Sequence, residues 1–431
     1  MNIIYIHTHD TGRYIQPYGH PVFTPNLQQF AEEGMLFRQA FCGGPTCSPS
    51  RAALLTGMCP HSAGMLGLAH RGFQMSDYSR HLVRYLNSNG YETALFGEQH
   101  EAPRTEMIGY HKVVKYSHED SVKRDMLHAE AAADYIGMHH DKPLFLSLGL
   151  FNTHRDFPAI GSDINPDYVM PPSPLYDTKE SREDFAGYLT SAQYADKAFG
   201  KVMDALKETG KDKNSIVIFT TDHGIAFPFM KCNLYDTGIG VSLIMKWPGR
   251  RKRAVSDALV SHIDIFPTLC DLLSLPKPNW LQGKSMRPLI ENHTEKIRDE
   301  VFSEVTYHAA YEPMRCVRTE RYKLIKIYGS GQKIVPANID DGQSKTFLTE
   351  NGFLETERES MMLFDLYLDP MERRNVVNDP AFKEIYTDLD NRLQTWMEDT
   401  GDPLLLGPVA KPEGALVNKT RSLSATVKDF E

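Results

Sequence analysis

The chain has 431 residues, 41% hydrophobic and 24% charged, with a formal net charge of −9. That length predicts two domains and a large core, and the ordinary balance of apolar and charged residues predicts a soluble globular protein. A net-acidic chain gives no general electrostatic reason to bind nucleic acid or an anionic membrane, and no apolar run approaches the ~20 residues that a bilayer span needs.

The opening Met1-Asn2-Ile3-Ile4-Tyr5-Ile6 reads as a strand without a basic segment and long apolar stretch, so a cytoplasmic location is expected. The strand runs into a polar cluster from His7 to Gly12, of the kind found where a buried parallel strand meets a functional loop. Thr24-Pro25-Asn26 reads as the cap and first two residues of a helix with Leu27, Phe30 and Ala31 on one face, closed by Gly34. The six cysteines, Cys42, Cys47, Cys59, Cys232, Cys270 and Cys316, lack zinc-ligand spacing and are too few for a disulfide scaffold, so reduced thiols are expected.

Cys47-Ser48-Pro49-Ser50-Arg51 precedes the good helix formers Ala52, Ala53, Leu54 and Leu55. Pro49 fixes φ and can open a helix, which places Cys47 just before a helix N-terminus, where backbone N–H groups favour an anion. The plain alternative is a buried thiol before an ordinary helix. Further on, a β-like run over 93–96 ends in Gly97-Glu98-Gln99-His100. A helix is predicted over 126–138, and a buried strand over 143–150 leads into Asn152-Thr153-His154-Arg155. Helical patterning returns over 188–207, and the most central-looking strand, 215–221, ends in Asp222-His223-Gly224. Another strand is read at 242–247. From about residue 301 short alternating segments, including 315–318 and 322–327, predict an antiparallel sheet. A last helix spans 386–396, and the polar tail from Pro412 is expected to be mobile.

Strands alternating with helices imply an α/β fold, a mostly parallel sheet sandwiched by helices over 1–300, with a smaller α+β domain containing an antiparallel sheet over 301–431. Each polar cluster follows the carboxyl end of a strand. His9, Asp10, Cys47, His100, His154, Asp222, His223 and Lys231 are therefore expected to converge on one crevice.

Cys47-x-Pro49-Ser50-Arg51 resembles the sulfatase signature, and Asp222-His223-Gly224 resembles a metal motif of the wider alkaline phosphatase superfamily. Leu363-Phe364-Asp365-Leu366, followed by Asp369-Pro370, Glu372 and Asn375, is similar to a C-terminal sulfatase block. Leu36-Phe37-Arg38-x-Ala40-Phe41, Asn233-Leu234-Tyr235 and Pro313-Met314-Arg315 resemble the sulfamidase-like (N-sulfoglucosamine sulfohydrolase) members.

The resemblance implies an alkaline-phosphatase-like fold and hydrolysis of an organic sulfate or sulfamate, the substrate being a small sulfated sugar or aryl compound. It implies that a formylglycine-generating enzyme oxidises Cys47 to formylglycine, whose hydrated aldehyde attacks sulfur while Arg51 helps to hold it. Lys231 would bind sulfate, His154 would assist the leaving group and His100 would deprotonate the remaining hydroxyl. One divalent ion is implied, held by Asp10, Asp222 and His223, with either His9 as the fourth ligand or, with His9 swung away, oxygens that include the diol at residue 47 (Cys47) completing the site. The resemblance favours calcium, whereas the imidazoles of His9 and His223 suit manganese or zinc.

Two positions depart from the family pattern: His9 replaces the first aspartate of a metal-binding pair, and Glu98 stands where a sulfate-binding lysine is usual. Glu98 is expected to turn away or pair with a cation, with Arg104 or Arg155 supplying the missing positive charge. His61 either reaches the site or packs locally, and His262 is read as structural. Glu304, Tyr307 and His308 are candidates on the substrate side. The alternatives are a phosphonate monoester or phosphodiester hydrolase of the same superfamily, and a non-catalytic binder of sulfated glycans.

Overall fold

The structure, a computed structural model, describes residues 1–249, 254–329 and 333–431. In chain order its strands are β1 Asn2–Thr8, β2 Met35–Phe37, β3 Ala40–Phe41, β4 Glu92–Gly97, β5 Lys112–Val114, β6 Leu144–Gly149, β7 Ser215–Thr221, β8 Leu243–Lys246, β9 Ala254–Ser256, β10 Val260–Ser261, β11 Glu300–Tyr307, β12 Tyr311–Thr319, β13 Tyr322–Ile327 and β14 Met361–Asp365. Eight of them form one sheet in the order β5-β4-β6-β1-β7-β8-β2-β9. Its pairs are parallel except β7 with β8 and β8 with β2.

The core explains why β1 and β7 read as continuous apolar runs. Ile4 and Ile6 of β1 enter one buried cluster with Tyr188 and Phe199 of the helix Lys179–Glu208. Ile3 and Tyr5 enter another with Leu54 and Phe266 on the opposite face. Alternate side chains of one strand thus feed two helical layers, so both faces must be apolar.

Register then positions the functional loops. β1 pairs in parallel with β6 and β7, and β6 with β4, aligning Thr8 with Thr221 and both His7 and Gly97 with Gly149. The loops that begin near residues 9, 98, 150 and 222 therefore leave the same edge of the sheet at nearly the same height.

Two local readings are corrected. Thr24 precedes the helix Pro25–Glu33, but its hydroxyl accepts from Gln16 N instead. Asp196, on the Lys179–Glu208 helix, accepts from the Asn26 and Leu27 N–H groups and serves as the cap. The signature helix runs Cys47–Thr56 after Thr46, so Cys47 is its first residue, and Pro49 lies among the early positions whose N–H lacks an intrahelical partner. Gly57, at φ 68°, closes it in the left-handed region.

The strands β11-β12-β13-β14 form a separate antiparallel sheet. The helix Lys383–Thr400 covers it by packing Leu389, Leu393 and Met397 on Val317, Leu324 and Leu363. Ion pairs to Asp236, between β7 and β8, tie this part to the larger sheet: Lys323 Nζ lies 2.5 Å and Arg318 Nη2 3.1 Å from its carboxylate. The tail expected to be mobile is instead bound. Asn418 N donates to Ala309 O, Arg71 donates to Asn418 Oδ1 and Ala425 O, and Lys345 donates to Leu423 O. All six cysteines are buried, unpaired thiols. Among the described residues no helix is long and apolar enough to cross a membrane.

Candidate active site

Cys47 begins its helix at the carboxyl edge of the large sheet, facing the loops after β1 and β7. One ligand atom from each of His9, Asp10, Cys47 and Asp222 lies within 4.8 Å of all the others, and all four residues are buried. His223 joins them: its Nε2 lies 3.4 Å from Cys47 Sγ and 3.4 Å from Asp10 Oδ1. Its Nδ1 is 2.9 Å from Gly224 O, so that nitrogen donates to the carbonyl and Nε2 turns a lone pair toward the cluster.

Burial and the Arg51 charge push the His9 imidazole well below its ordinary range, keeping it neutral, and neither of its buried nitrogens has a hydrogen-bond partner. Asp10 Oδ1 is equally buried and unbonded. Two carboxylates, the neutral His9 imidazole, the nearby His223 Nε2 and an orphaned carboxylate oxygen fit a divalent cation better than they fit an empty core, where unsatisfied polar atoms are costly. His9 lies within the mutually close group and has not swung away.

Arg51 is bound on the side of Asp222. Its guanidinium lies 3.0 Å from Asp222 Oδ2, donates to Thr8 O at 3.0 Å and meets His7 Nδ1 at 2.5 Å. It holds a metal-ligand candidate in place, and its charge also acts on Cys47, with its buried Nε left without a partner. Burial works to raise the Asp222 carboxyl, but His223 and Arg51 outweigh it and keep it well below the usual carboxylate range. Burial also pushes the Cys47 thiol far up, so the unmodified side chain is protonated and poorly nucleophilic.

Lys231, 3% exposed, places Nζ 2.9 Å from Asp10 Oδ2 and 3.2 Å from Asp340 Oδ2. His154 sits at the rim with Nε2 3.9 Å from Asp10 Oδ2. His100 shares a close group with His9 and Cys47, and its Nε2 lies 2.8 Å from His70 Nδ1 in a stacked ring pair. The catalytic and metal candidates from the sequence thus gather around one buried cluster.

Glu98 is paired, 2.8 Å from Lys115 and 3.9 Å from Arg124. The compensating arginines do not materialise. Arg104 is exposed, and Arg155 is committed to Asp184 through two bonds of 2.6 and 2.9 Å. His61 packs against Glu304 through both its backbone N–H and its ring, so Glu304 is internal. Tyr307 is likewise structural, its hydroxyl donating to Val409 O. His262 is buried with Nε2 3.0 Å from Thr220 Oγ1 and Nδ1 3.5 Å from Ser50 Oγ, supporting the helix that carries Cys47. Of the three substrate-side candidates only His308 remains: its buried imidazole is lowered by burial and by the Lys231 charge.

Three contributors escaped sequence reasoning. Asp125 accepts from Phe151 N, Asn152 N and Asn152 Nδ2, and so fixes the loop that presents His154. His70 and Asp340 carry no motif; only their approach to His100 and Lys231 in space reveals them.

The sulfatase family profile matches residues 1–275, and that of the N-sulphoglucosamine sulphohydrolase C-terminal region matches 222–339. The chain is 29% identical to N-sulphoglucosamine sulphohydrolase from Homo sapiens, covering 92% of this chain and 89% of that protein. It is 26% identical to an ulvan-active sulfatase from Formosa agariphila, covering 91% and 79%. Its fold is similar to that of a protein solved in complex with its substrate D-glucosamine-2-N,6-O-disulfate, with a TM-score of 0.73 at 17% identity, covering 95% of this chain and 99% of the other.

Proposed function

The chain belongs to the sulfatase family, hydrolysing sulfate esters or sulfamates of sugars, and on that premise we propose that its substrate is a small N-sulfated aminosugar. The observation that carries this reading is the convergence of Cys47 with the His9, Asp10 and Asp222 group and with Lys231. The C-terminal match to the N-sulphoglucosamine sulphohydrolase region favours a sulfamate among sulfated sugars. The body over 1–300 carries the chemistry in this reading, and 301–431 supplies a wall of the pocket.

A divalent ion held by His9, Asp10, Asp222 and His223 would supply electrostatic stabilisation of the transferring group; the mixed oxygen and nitrogen set suits manganese or zinc and admits calcium. Formylglycine, made from Cys47 by a formylglycine-generating enzyme, would supply the attacking oxygen.

The protein's own groups complete the task. The signature helix aims its N-terminal N–H groups at the sulfo group, and Lys231 offsets negative charge on its oxygens. His154, at the rim, gives a proton to the leaving atom, and His100, beside residue 47, takes one when the nucleophile is regenerated. Burial excludes bulk water and strengthens each of these interactions. Arg51 and Lys231 face Asp10, Asp222 and Asp340, so with a divalent ion the positive charges exceed the negative by one, which suits a singly charged sulfo group.

The test is a substrate panel, run on protein produced together with a formylglycine-generating enzyme. Glucosamine N-sulfate should release sulfate faster than 4-nitrophenyl sulfate, and a phosphonate monoester should be turned over slowest. Preference for the phosphonate ester would replace the sulfatase reading with the phosphoryl one.

A further inference from the structure

Lys231 is bracketed by two carboxylates, although one ammonium needs only one. Asp10 satisfies it from inside the cluster at 2.9 Å, and Asp340 approaches the same nitrogen to 3.2 Å. Asp340 does not come from a strand-end loop of the large sheet. It follows the turn Pro336–Asn338 in the C-terminal part of the chain.

Its backbone is pinned. Lys345 Nζ donates to Ile339 O at 2.8 Å, pairs with Asp341 at 2.7 Å and reaches Leu423 O in the tail at 2.8 Å. Besides Lys231, the groups that face the Asp340 carboxylate are His154, His308 and Arg155. Burial would raise that carboxyl, but the Lys231 charge keeps it well below the usual range, so it is ionised. Its side chain keeps 20% of its surface exposed; Lys231 Nζ donates to its Oδ1 at 3.3 Å and lies 3.2 Å from its Oδ2, a buried oxygen that accepts no hydrogen bond. His308 Nδ1, in the same neighbourhood, is also buried and unbonded.

A second negative charge facing an anion-binding lysine works against a sulfo group unless a donor from the substrate engages it. We propose that Asp340 is a specificity-determining residue: its carboxylate accepts a hydrogen bond from a hydroxyl or ammonium on the sugar carbon next to the sulfo-bearing one, and it rejects sugars with a second anion there. The inference rests on the sulfated-sugar reading above and narrows it to sugars with a neutral or cationic donor beside a lone sulfo group.

Calorimetry on the Cys47→Ser protein tests it without turnover, using glucosamine N-sulfate, its 3-deoxy analogue and glucosamine N,3-disulfate. With Asp340 present, the deoxy and disulfated sugars should each bind at least about tenfold more weakly than glucosamine N-sulfate, the scale of a lost charge-assisted hydrogen bond. Asp340→Ala should bring all three within about threefold of one another. Asp340→Asn, which keeps size and one acceptor, should readmit the disulfate while retaining preference for the hydroxyl. Equal binding of the three sugars with Asp340 present, or loss of all three by one common factor in both variants, would show that Asp340 only steadies Lys231 and would overturn the proposal. Absence of binding by every sugar to every protein would overturn the sulfated-sugar reading, and this proposal with it.

Discussion

Arg155 stands beside His154 and joins four parts of the chain. Its guanidinium grips Asp184 of the Lys179–Glu208 helix at 2.6 and 2.9 Å, donates to Ala226 O at 2.8 Å, and lies 4.5 and 4.6 Å from the Phe157 and Phe227 ring centres. Asp184 also accepts from Ser344 N at 3.0 Å, drawing the helix Gln343–Glu350 into the same knot. Arg155→Met keeps the apolar stem but leaves the Asp184 charge, in a side chain only 5% exposed, without its partner. Breaking such a buried pair costs about 3–5 kcal/mol. For 431 residues, an unfolding entropy of roughly 2.1 cal/mol/K per residue makes that about 3–6 °C in melting temperature. Adding Asp184→Asn removes the stranded charge yet keeps an acceptor for Ser344, so the double variant should regain more than half of the loss. Differential scanning calorimetry of wild type, both singles and the double closes the cycle. An Arg155→Met protein melting within about 1 °C of wild type would refute the reasoning.

Three further expectations follow from the same geometry. Lys231→Ala should lower kcat about 10²–10³-fold on glucosamine N-sulfate with the fold retained, and unchanged steady-state kinetics would remove Lys231 from the chemistry. Glu101 is buried, which would raise its carboxyl, but His81 and Arg51 bring it from 4.5 down to about 2. This stabilisation is present above pH 4.5 and lost as pH falls toward 2, so Glu101→Gln should flatten the fall in urea midpoint between pH 5 and pH 3; an unchanged slope would contradict the linkage. Chelation should lower both the melting temperature and activity, each restored by adding back manganese, zinc or calcium, since an ion bound only by the folded state stabilises it. Chelated protein that melts and turns over like the untreated protein would defeat the metal assignment.

What the sequence made legible follows from the physics of parallel strands. A strand buried on both faces has to be apolar throughout, so the polar residues that end it stand out, as His9-Asp10 after β1 and Asp222-His223 after β7 do. What it hid are partners fixed by packing between distant segments. Asp125 lies on the helix Ser121–Gly137 and reads as an ordinary surface acid until Phe151 and Asn152 fold back onto it. Arg155 looked free to serve an anion because nothing local identifies Asp184 as its partner. The tail's polarity suggested solvent, yet its backbone carbonyls are acceptors for Arg71 and Lys345. Asp340 lies in an irregular segment with no periodicity, so its approach to Lys231 is visible only in three dimensions.

The central claim is that residue 47 acts as formylglycine rather than as cysteine. It is tested most directly by producing the protein with graded amounts of a formylglycine-generating enzyme and plotting sulfate release from glucosamine N-sulfate against the fraction of residue 47 converted, read from the mass of its peptide. The account predicts a straight line through zero. Full hydrolysis by protein whose residue 47 is entirely cysteine would contradict it.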